Sequence, residues 1–336
     1  MKAYEIQKFG LENLKLAERD TPKPGPGQVL IKVRACSLNF RDLLMVKGQY
    51  NPRQPLPLIP CSDGAGEVVA VDAGVSRVKV GDRVAGIFAQ KWIAGEPTQE
   101  RVRSTLGGPF DGMLTEYALL GEEGVVKIPA HLSFEEAATL PCAALTAWCA
   151  LTKYRPLLAG QTLLLQGTGG VSIFALQFAK ILGATVIITS SSDEKLERAK
   201  ALGADHLINY KIEPDWHKKA RELTGKIGVD HVLEVGGAGT FEKALAATRI
   251  GGFVVSIGVL SGVAAPLSLT SVFMSGLTVQ GMLVGNRDDF EAMNRAIAQH
   301  GLKPVVDRAF AFADVHQAFA LMEQGGHFGK IVVRVD

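Results

Sequence analysis

Apolar residues recur along this 336-residue chain with two different periods, and the change from one to the other divides it. Up to about residue 125 the apolar runs are short: KAYEIQ, LKLAE, VLIKVRA, GEVVAVD and GDRVAGIF, broken by turns such as Thr21-Pro22-Lys23-Pro24-Gly25-Pro26-Gly27. Such spacing predicts an all-β unit. From Pro129 onward, apolar runs alternate with helix-period stretches: LLLQ, TVIIT, HLINY, DHVLEVG, FVVSIG and LTVQGMLV. Six strands with mostly helical crossovers predict a doubly wound parallel sheet, and so an α/β fold. A helix from Asp288 to His300 then leads to two more short strands, FAFAD and KIVVRV, with a helix between them. These are expected to rejoin the β-rich unit. The expected organisation is one domain from residues 1–128 and 286–336, with residues 129–285 inserted as the α/β domain.

The join between LLLQ and the following helix carries the most informative chemistry. Gly167-Thr168-Gly169-Gly170-Val171-Ser172 follows the strand directly, and Val171, Phe174, Ala175, Phe178 and Leu182 then repeat at helical spacing up to a stop at Gly183. Gly167 permits a tight turn, and Gly169 lets backbone N–H groups approach a pyrophosphate at the positive helix N-terminus. Ser172 stands where a third glycine would allow the closest packing of helix on strand. About twenty residues on, where an NAD enzyme places an acidic residue on the ribose 2′-OH, the chain has Ser190-Ser191-Ser192, with Lys195 close by. Hydroxyls and a cation predict NADP(H). Ser191 is equally a candidate helix cap, with Glu194 completing a capping box.

Composition narrows the class further. A net charge of +2 with 21% charged residues leaves no basic block for nucleic acid or an anionic membrane. No apolar run reaches membrane-spanning length, and MKAYEIQKFG is not a secretory signal, so a cytoplasmic protein is expected. Cys36, Cys61, Cys142 and Cys149 fall at no disulfide-framework or zinc-ribbon spacing.

From end to end the chain resembles the zinc-free, quinone-oxidoreductase-like branch of the medium-chain dehydrogenase/reductase superfamily. The residues that carry the likeness are Asn39-Phe40-Arg41-Asp42, Gly64-Ala65-Gly66-Glu67-Val68, Val80-Gly81-Asp82-Arg83-Val84, the Gly167 turn, and Gly325-Gly326-His327-Phe328-Gly329-Lys330-Ile331-Val332. The resemblance implies a GroES-like β-barrel catalytic domain, a Rossmann domain, and hydride transfer from a nicotinamide cofactor in a cleft between them. Zinc alcohol dehydrogenases of the superfamily hold their metal with Cys, His and Cys. Here the first position is Asn39, the Gly-His-Glu element becomes Cys61-Ser62-Asp63, and only Cys142 matches a ligand. The four cysteines of the structural zinc lobe have no counterpart between Gln90 and Leu119, a polar excursion that reads equally as a lid, with Trp92, Ile93 and Phe110 over the substrate, or as a solvated loop. No zinc is expected, catalytic or structural.

Without a Lewis acid, a quinone or an alkene conjugated to a carbonyl is the expected acceptor, because it delocalises the charge that arrives with hydride. The protein then aligns the reactants and offers hydrogen-bond donors to the developing oxyanion. The resemblance assigns Asn39, at the old metal position, as donor, and Tyr50 as a substrate-orienting or proton-relaying group. On the cofactor side it implies Gly167, Thr168, Gly169, Gly170 and Val171 at the pyrophosphate; Ser190, Ser191, Lys195 and Tyr210 at the 2′-phosphate end; Gly258 and Leu283, Val284 and Gly285 beside the nicotinamide; and Lys330 at a phosphate. Partners expected are a small apolar substrate and a second copy of the chain, paired through the apolar edge strand at 277–285. Two alternatives stay open: an alcohol dehydrogenase of small alcohols, and an NADPH-binding sensor or structural protein without turnover.

Overall fold

The computed structural model describes residues 1–335 and divides into two units, Met1–Leu145 together with the chain from Val284 onward, and Thr146–Leu283. Up to about residue 125 the first unit is built mainly of strands, as expected, with the short α-helices Phe40–Val46 and Gln99–Val102 among them. Its central strand, Gln28–Ser37, pairs antiparallel with Asp63–Val71, with Tyr117–Gly121 and with Lys330–Arg334. Val306–Phe310 completes that edge in parallel, so the two C-terminal strands do rejoin the first domain. The core beneath them is built from alternating inward residues such as Val29, Ile31 and Val33, with Ile331, Val333 and Phe319 from the returning segment.

The first domain is longer than the sequence pattern indicated. Residues 129–145 belong to it instead of opening the α/β insertion, because the helix Phe134–Ala138 packs on the strands Gln28–Ser37 and Asp63–Val71. The insertion also closes two residues earlier than expected, at Leu283. Helical period alone cannot say which sheet a helix covers.

The second unit is a six-stranded parallel sheet in the order His206–Asn209, Thr185–Ser190, Thr162–Gln166, Val229–Glu234, Thr248–Ser256, Thr278–Gly281. Numbered along the chain this is 3-2-1-4-5-6, the doubly wound Rossmann order. Leu163 to Gln166 of the first strand are all buried because sheet neighbours flank the strand and helices cover its faces, which explains why LLLQ has no polar alternation. Phe174 and Phe178, stacked at 6.1 Å, form the buried face of the helix Gly170–Ile181. No helix among the described residues is long and apolar enough to cross a membrane.

Candidate active site

At the end of the first Rossmann strand Gly167 takes φ +68°, a conformation that costs glycine little. The space where side chains would stand on Gly167 and Gly169 is open, and Gly169 begins the helix Gly170–Ile181 with no side chain capping its first amides. An uncapped helix N-terminus beneath an open glycine turn fits a phosphate. Thr168 is buried in the turn and Val171 half-buried in the first helical turn. Ser172 does not merely replace a glycine: its buried hydroxyl donates to Gln166 O at 2.7 Å and ties helix to strand. Gln166 in turn accepts from Val235 N and Gly236 N at 3.3 and 3.2 Å, while its Nε2 is buried without a partner. An orphaned donor at the carboxyl end of the central strands is a second feature that suits a bound dinucleotide.

The serines at the end of the second strand divide their tasks differently from the sequence expectation. Ser190 is buried and accepts from Ser192 N at 3.3 Å. Ser192, not Ser191, caps the helix Asp193–Ala201, accepting from Lys195 N at 3.3 Å. Ser191 is thereby left partly exposed, between the buried serine and the capping one. Tyr210 is exposed at the end of the neighbouring strand and anchored by its own N–H on Ser190 O at 3.0 Å, which puts it beside the serines. The sequence reading passed over Asp193, whose Oδ1 accepts from Asn209 Nδ2 at 2.7 Å. Gly258 cannot offer its amide freely, since that N–H points to Glu234 O at 3.3 Å, and a side chain there would meet Val235 O at 2.5 Å. Val284 takes φ +51°, rare for a β-branched residue, between exposed Leu283 and buried Gly285.

In the first domain the three positions matched to metal ligands do converge. Asn39 precedes the helix Phe40–Val46, and its N–H is held by Asp42 Oδ2 at 2.8 Å. Its Nδ2 lies 3.4 Å from Ser62 Oγ, Ser62 donates to Asp63 Oδ1 at 2.7 Å, and Cys142 N donates to Asp63 Oδ2 at 3.1 Å from a π-helical turn, Leu140–Ala144. Lys330 is the surprise. Expected at a cofactor phosphate, it is only 3% exposed, and its ammonium donates to Leu38 O at 2.6 Å and Asn39 Oδ1 at 2.5 Å. The reason is register: Val332 pairs with Ser37, so the start of the Lys330–Arg334 strand is carried alongside Leu38 and Asn39.

These residues do not fit a zinc ion. An amide, a hydroxyl and one thiol replace the ligands, and a buried ammonium occupies the same cluster. Desolvation, and next the Asp63 carboxylate, push the Cys142 thiol up. Burial raises Asp63 to about 6, against the lowering influence of Lys330 and the Asn39 amide. Among the described residues no three His, Cys, Asp or Glu side chains gather as a metal site.

Tyr50 lies against Arg41. It is 52% exposed, with its ring 4.9 Å from the guanidinium of Arg41, which also lies 5.3 Å from Phe88. Arg41 Nη1 donates to Asp42 Oδ1 and to Leu106 O, each at 3.0 Å, so Arg41 and Asp42 link Tyr50 to Asn39. The excursion from Gln90 to Leu119 is well anchored. Trp92 is buried with its Nε1 on Gly95 O at 2.9 Å, Thr98 caps a short helix Gln99–Val102, and Gly112 N bonds Ile59 O at 2.7 Å. Of the three residues considered as a substrate cover, Trp92 is core, Ile93 half-buried and Phe110 exposed.

An open glycine turn under a doubly wound sheet, joined to a β-rich domain that gathers polar residues around Asn39, defines a nicotinamide-dependent oxidoreductase. Residues 25–130 match the alcohol dehydrogenase GroES-like domain and residues 170–299 the zinc-binding dehydrogenase domain. A zinc-type alcohol dehydrogenase-like protein of Schizosaccharomyces pombe is 42% identical over 97% of this chain and 96% of its own. A 2-methylene-furan-3-one reductase of Solanum lycopersicum is 34% identical over 99% of this chain and 79% of its own. Two solved structures superpose over the full length of both chains: an NAD-dependent alcohol dehydrogenase, 34% identical with a TM-score of 0.92, and a mycobacterial protein in complex with NADPH, 28% identical with a TM-score of 0.85. The chain belongs to the medium-chain dehydrogenase/reductase superfamily, in its zinc-type alcohol dehydrogenase-like branch. It is an oxidoreductase built to bind a nicotinamide dinucleotide.

Proposed function

We propose that this enzyme uses NADPH to reduce a quinone or the conjugated alkene of an enone or enal, without zinc. The observation that carries the reading is the cluster at Asn39: the positions matched to metal ligands hold an amide, a hydroxyl and a thiol, and the charged groups gathered there are the ammonium of Lys330 and the carboxyl of Asp63. Alcohol oxidation in this family draws on a Lewis acid that stabilises alkoxide by several kcal/mol. A conjugated acceptor spreads that charge itself and asks the protein for alignment and a hydrogen-bond donor.

The bound cofactor supplies hydride. The Gly167–Val171 turn and the helix N-terminus hold its pyrophosphate, Ser191, Lys195 and Tyr210 its phosphorylated ribose, and Gly258 with Leu283–Gly285 border its nicotinamide. Ser190 supports the shape of that turn from beneath. Asn39 Nδ2 donates to the acceptor oxygen, and Tyr50 shapes the substrate's approach with solvent as proton source. The plant furanone reductase among the relatives supports an alkene acceptor, and the NADPH complex of the mycobacterial neighbour supports the cofactor. The protein acts as a homodimer through the edge strand Thr278–Gly281, in the cytoplasm.

A panel of quinones and enones, with NADPH oxidation followed by absorbance, tests the proposal. Turnover should survive exhaustive chelation, and metal analysis should find no stoichiometric zinc. Chelator-sensitive oxidation of a secondary alcohol would replace this reading with the alcohol dehydrogenase one, and tight NADPH binding with no turnover would favour a sensor.

A further inference from the structure

The contact between Lys330 and Asn39 fixes which end of the Asn39 amide can meet a substrate; the inference drawn from it rests on the reading of Asn39 as the donor to the acceptor oxygen. An ammonium has three N–H donors and no acceptor. The Asn39 atom 2.5 Å from Lys330 Nζ is therefore its carbonyl oxygen. Turning the amide over would set NH2 against NH3⁺ and strip a nearly fully buried charge of one of its two acceptors, a loss that burial makes expensive. The amide is planar, so fixing Oδ1 also fixes Nδ2 on the other side, towards Ser62 Oγ, which in turn donates to Asp63 Oδ1.

Both partners are held by backbone. Lys330 opens a strand that pairs antiparallel with the one ending at Ser37, and Asn39 is pinned by its N–H to Asp42. The lysine is thus carried on a rigid element, which suits a group whose task is orientation.

We propose that Lys330 is a positioning residue for the reduction: its ammonium locks the Asn39 amide so that Nδ2, and not Oδ1, is presented to the oxygen on which negative charge develops. An amide free to turn would spend part of its time with a carbonyl dipole facing that oxygen, opposing the charge instead of stabilising it.

Three variants test this with a double-mutant cycle. Lys330→Met should lower kcat for the best enone or quinone by roughly 10- to 100-fold, the scale of a lost oxyanion donor, and leave the Kd for NADPH within about twofold. Asn39→Ala should lower kcat comparably. The double variant should be no slower than Asn39→Ala, because the lysine acts through the amide. Multiplied losses, or a Lys330→Met enzyme at full speed beside a slow Asn39→Ala enzyme, overturn the proposal and leave the donor reading intact. A silent Asn39→Ala sinks the donor reading and this proposal together. A measurement on the unsubstituted protein covers the case in which Lys330→Met fails to fold or no substrate is found. The Asn39 side-chain amide protons, assigned by their disappearance in Asn39→Ala, should show nuclear Overhauser contacts to the Ser62 Hβ protons and none to Lys330 Hε. The reverse pattern means that the amide is not locked in this sense.

Discussion

His231 stands in the middle of the central strand Val229–Glu234, wholly buried, edge-on to Phe253 at 5.4 Å, with neither ring nitrogen hydrogen-bonded. Burial, and next the charge of Arg155, lower it to about 4, so the fold holds it neutral. The unfolded chain takes up this proton first as pH falls below about 6.5. The His231 contribution is therefore complete above that pH and lost towards 4, on the order of 3 kcal/mol. Asp63 works in the opposite sense. Its folded value of about 6 lies above the ordinary one, so its contribution is present in acid and fades as pH rises from about 4 to 6. His231→Leu should keep its melting temperature at pH 7 and lose less of it on acidification to pH 4.5 than the unsubstituted protein; parallel curves would show that the imidazole is not held neutral. Under the proposed function the position that selects the cofactor is Ser191, since Ser190 is buried. Ser191→Asp should reduce the preference for NADPH over NADH by roughly 10- to 100-fold in kcat/KM, since like charges brought together cost several kcal/mol; an unchanged ratio would place the 2′-phosphate elsewhere.

Residue types were legible at this level, and their partners were not. That Asn39 stands where the resemblance places a metal ligand can be read from its neighbours Phe40-Arg41-Asp42. That Lys330, 291 positions away, ends on its side chain cannot, because the contact is made by strand register. The same gap explains Tyr50, whose place over Arg41 comes from the path of a Pro-containing loop.

Secondary structure followed the apolar periods closely, and the departures lie where a local signal had competitors. Three consecutive serines each offer a hydroxyl for a helix cap, and pattern alone favoured Ser191 because Glu194 stands three residues on. The chain instead starts its helix one residue later and caps with Ser192. Ser192→Ala should cost about 1 kcal/mol, measured by chemical denaturation, while Ser191→Ala should be near neutral; equal losses would contradict the assignment. The helix after the glycine turn shows a further economy of sequence. Ser172 closes onto Gln166 O where glycine was anticipated for close packing, so Ser172→Ala should lower stability by roughly 1 kcal/mol through an unsatisfied buried carbonyl. Between Gln90 and Leu119 the polar composition left lid and solvated loop equally open, and the segment is stitched down by bonds from residues far away in the chain, Arg287 N to Trp92 O and Arg41 to Leu106 O, and by Gly112 N on Ile59 O.

At the level of the assembled chain, the edge strand Thr278–Gly281 has one sheet neighbour, and the segment before it leaves Val263, Leu269, Phe273 and Met274 exposed. The proposed homodimer would pair this open edge with its own copy across a two-fold axis and cover those apolar side chains. Light scattering should find twice the 35.8 kDa chain mass, and Phe273→Glu should shift the protein towards monomer. A monomeric parent would remove the dimer from the proposal without touching its chemistry.

The alternation of strands and helices, the glycine turn and the residue types at Asn39, Ser62 and Cys142 were set in the amino-acid sequence, because each depends on contacts between near neighbours or on the chemical type of a single residue. Folding in three dimensions settled where the first domain ends, which serine caps, and that a buried lysine fills the cluster around Asn39. Those outcomes depend on which distant surfaces meet, and a short-range pattern carries no record of its distant partner.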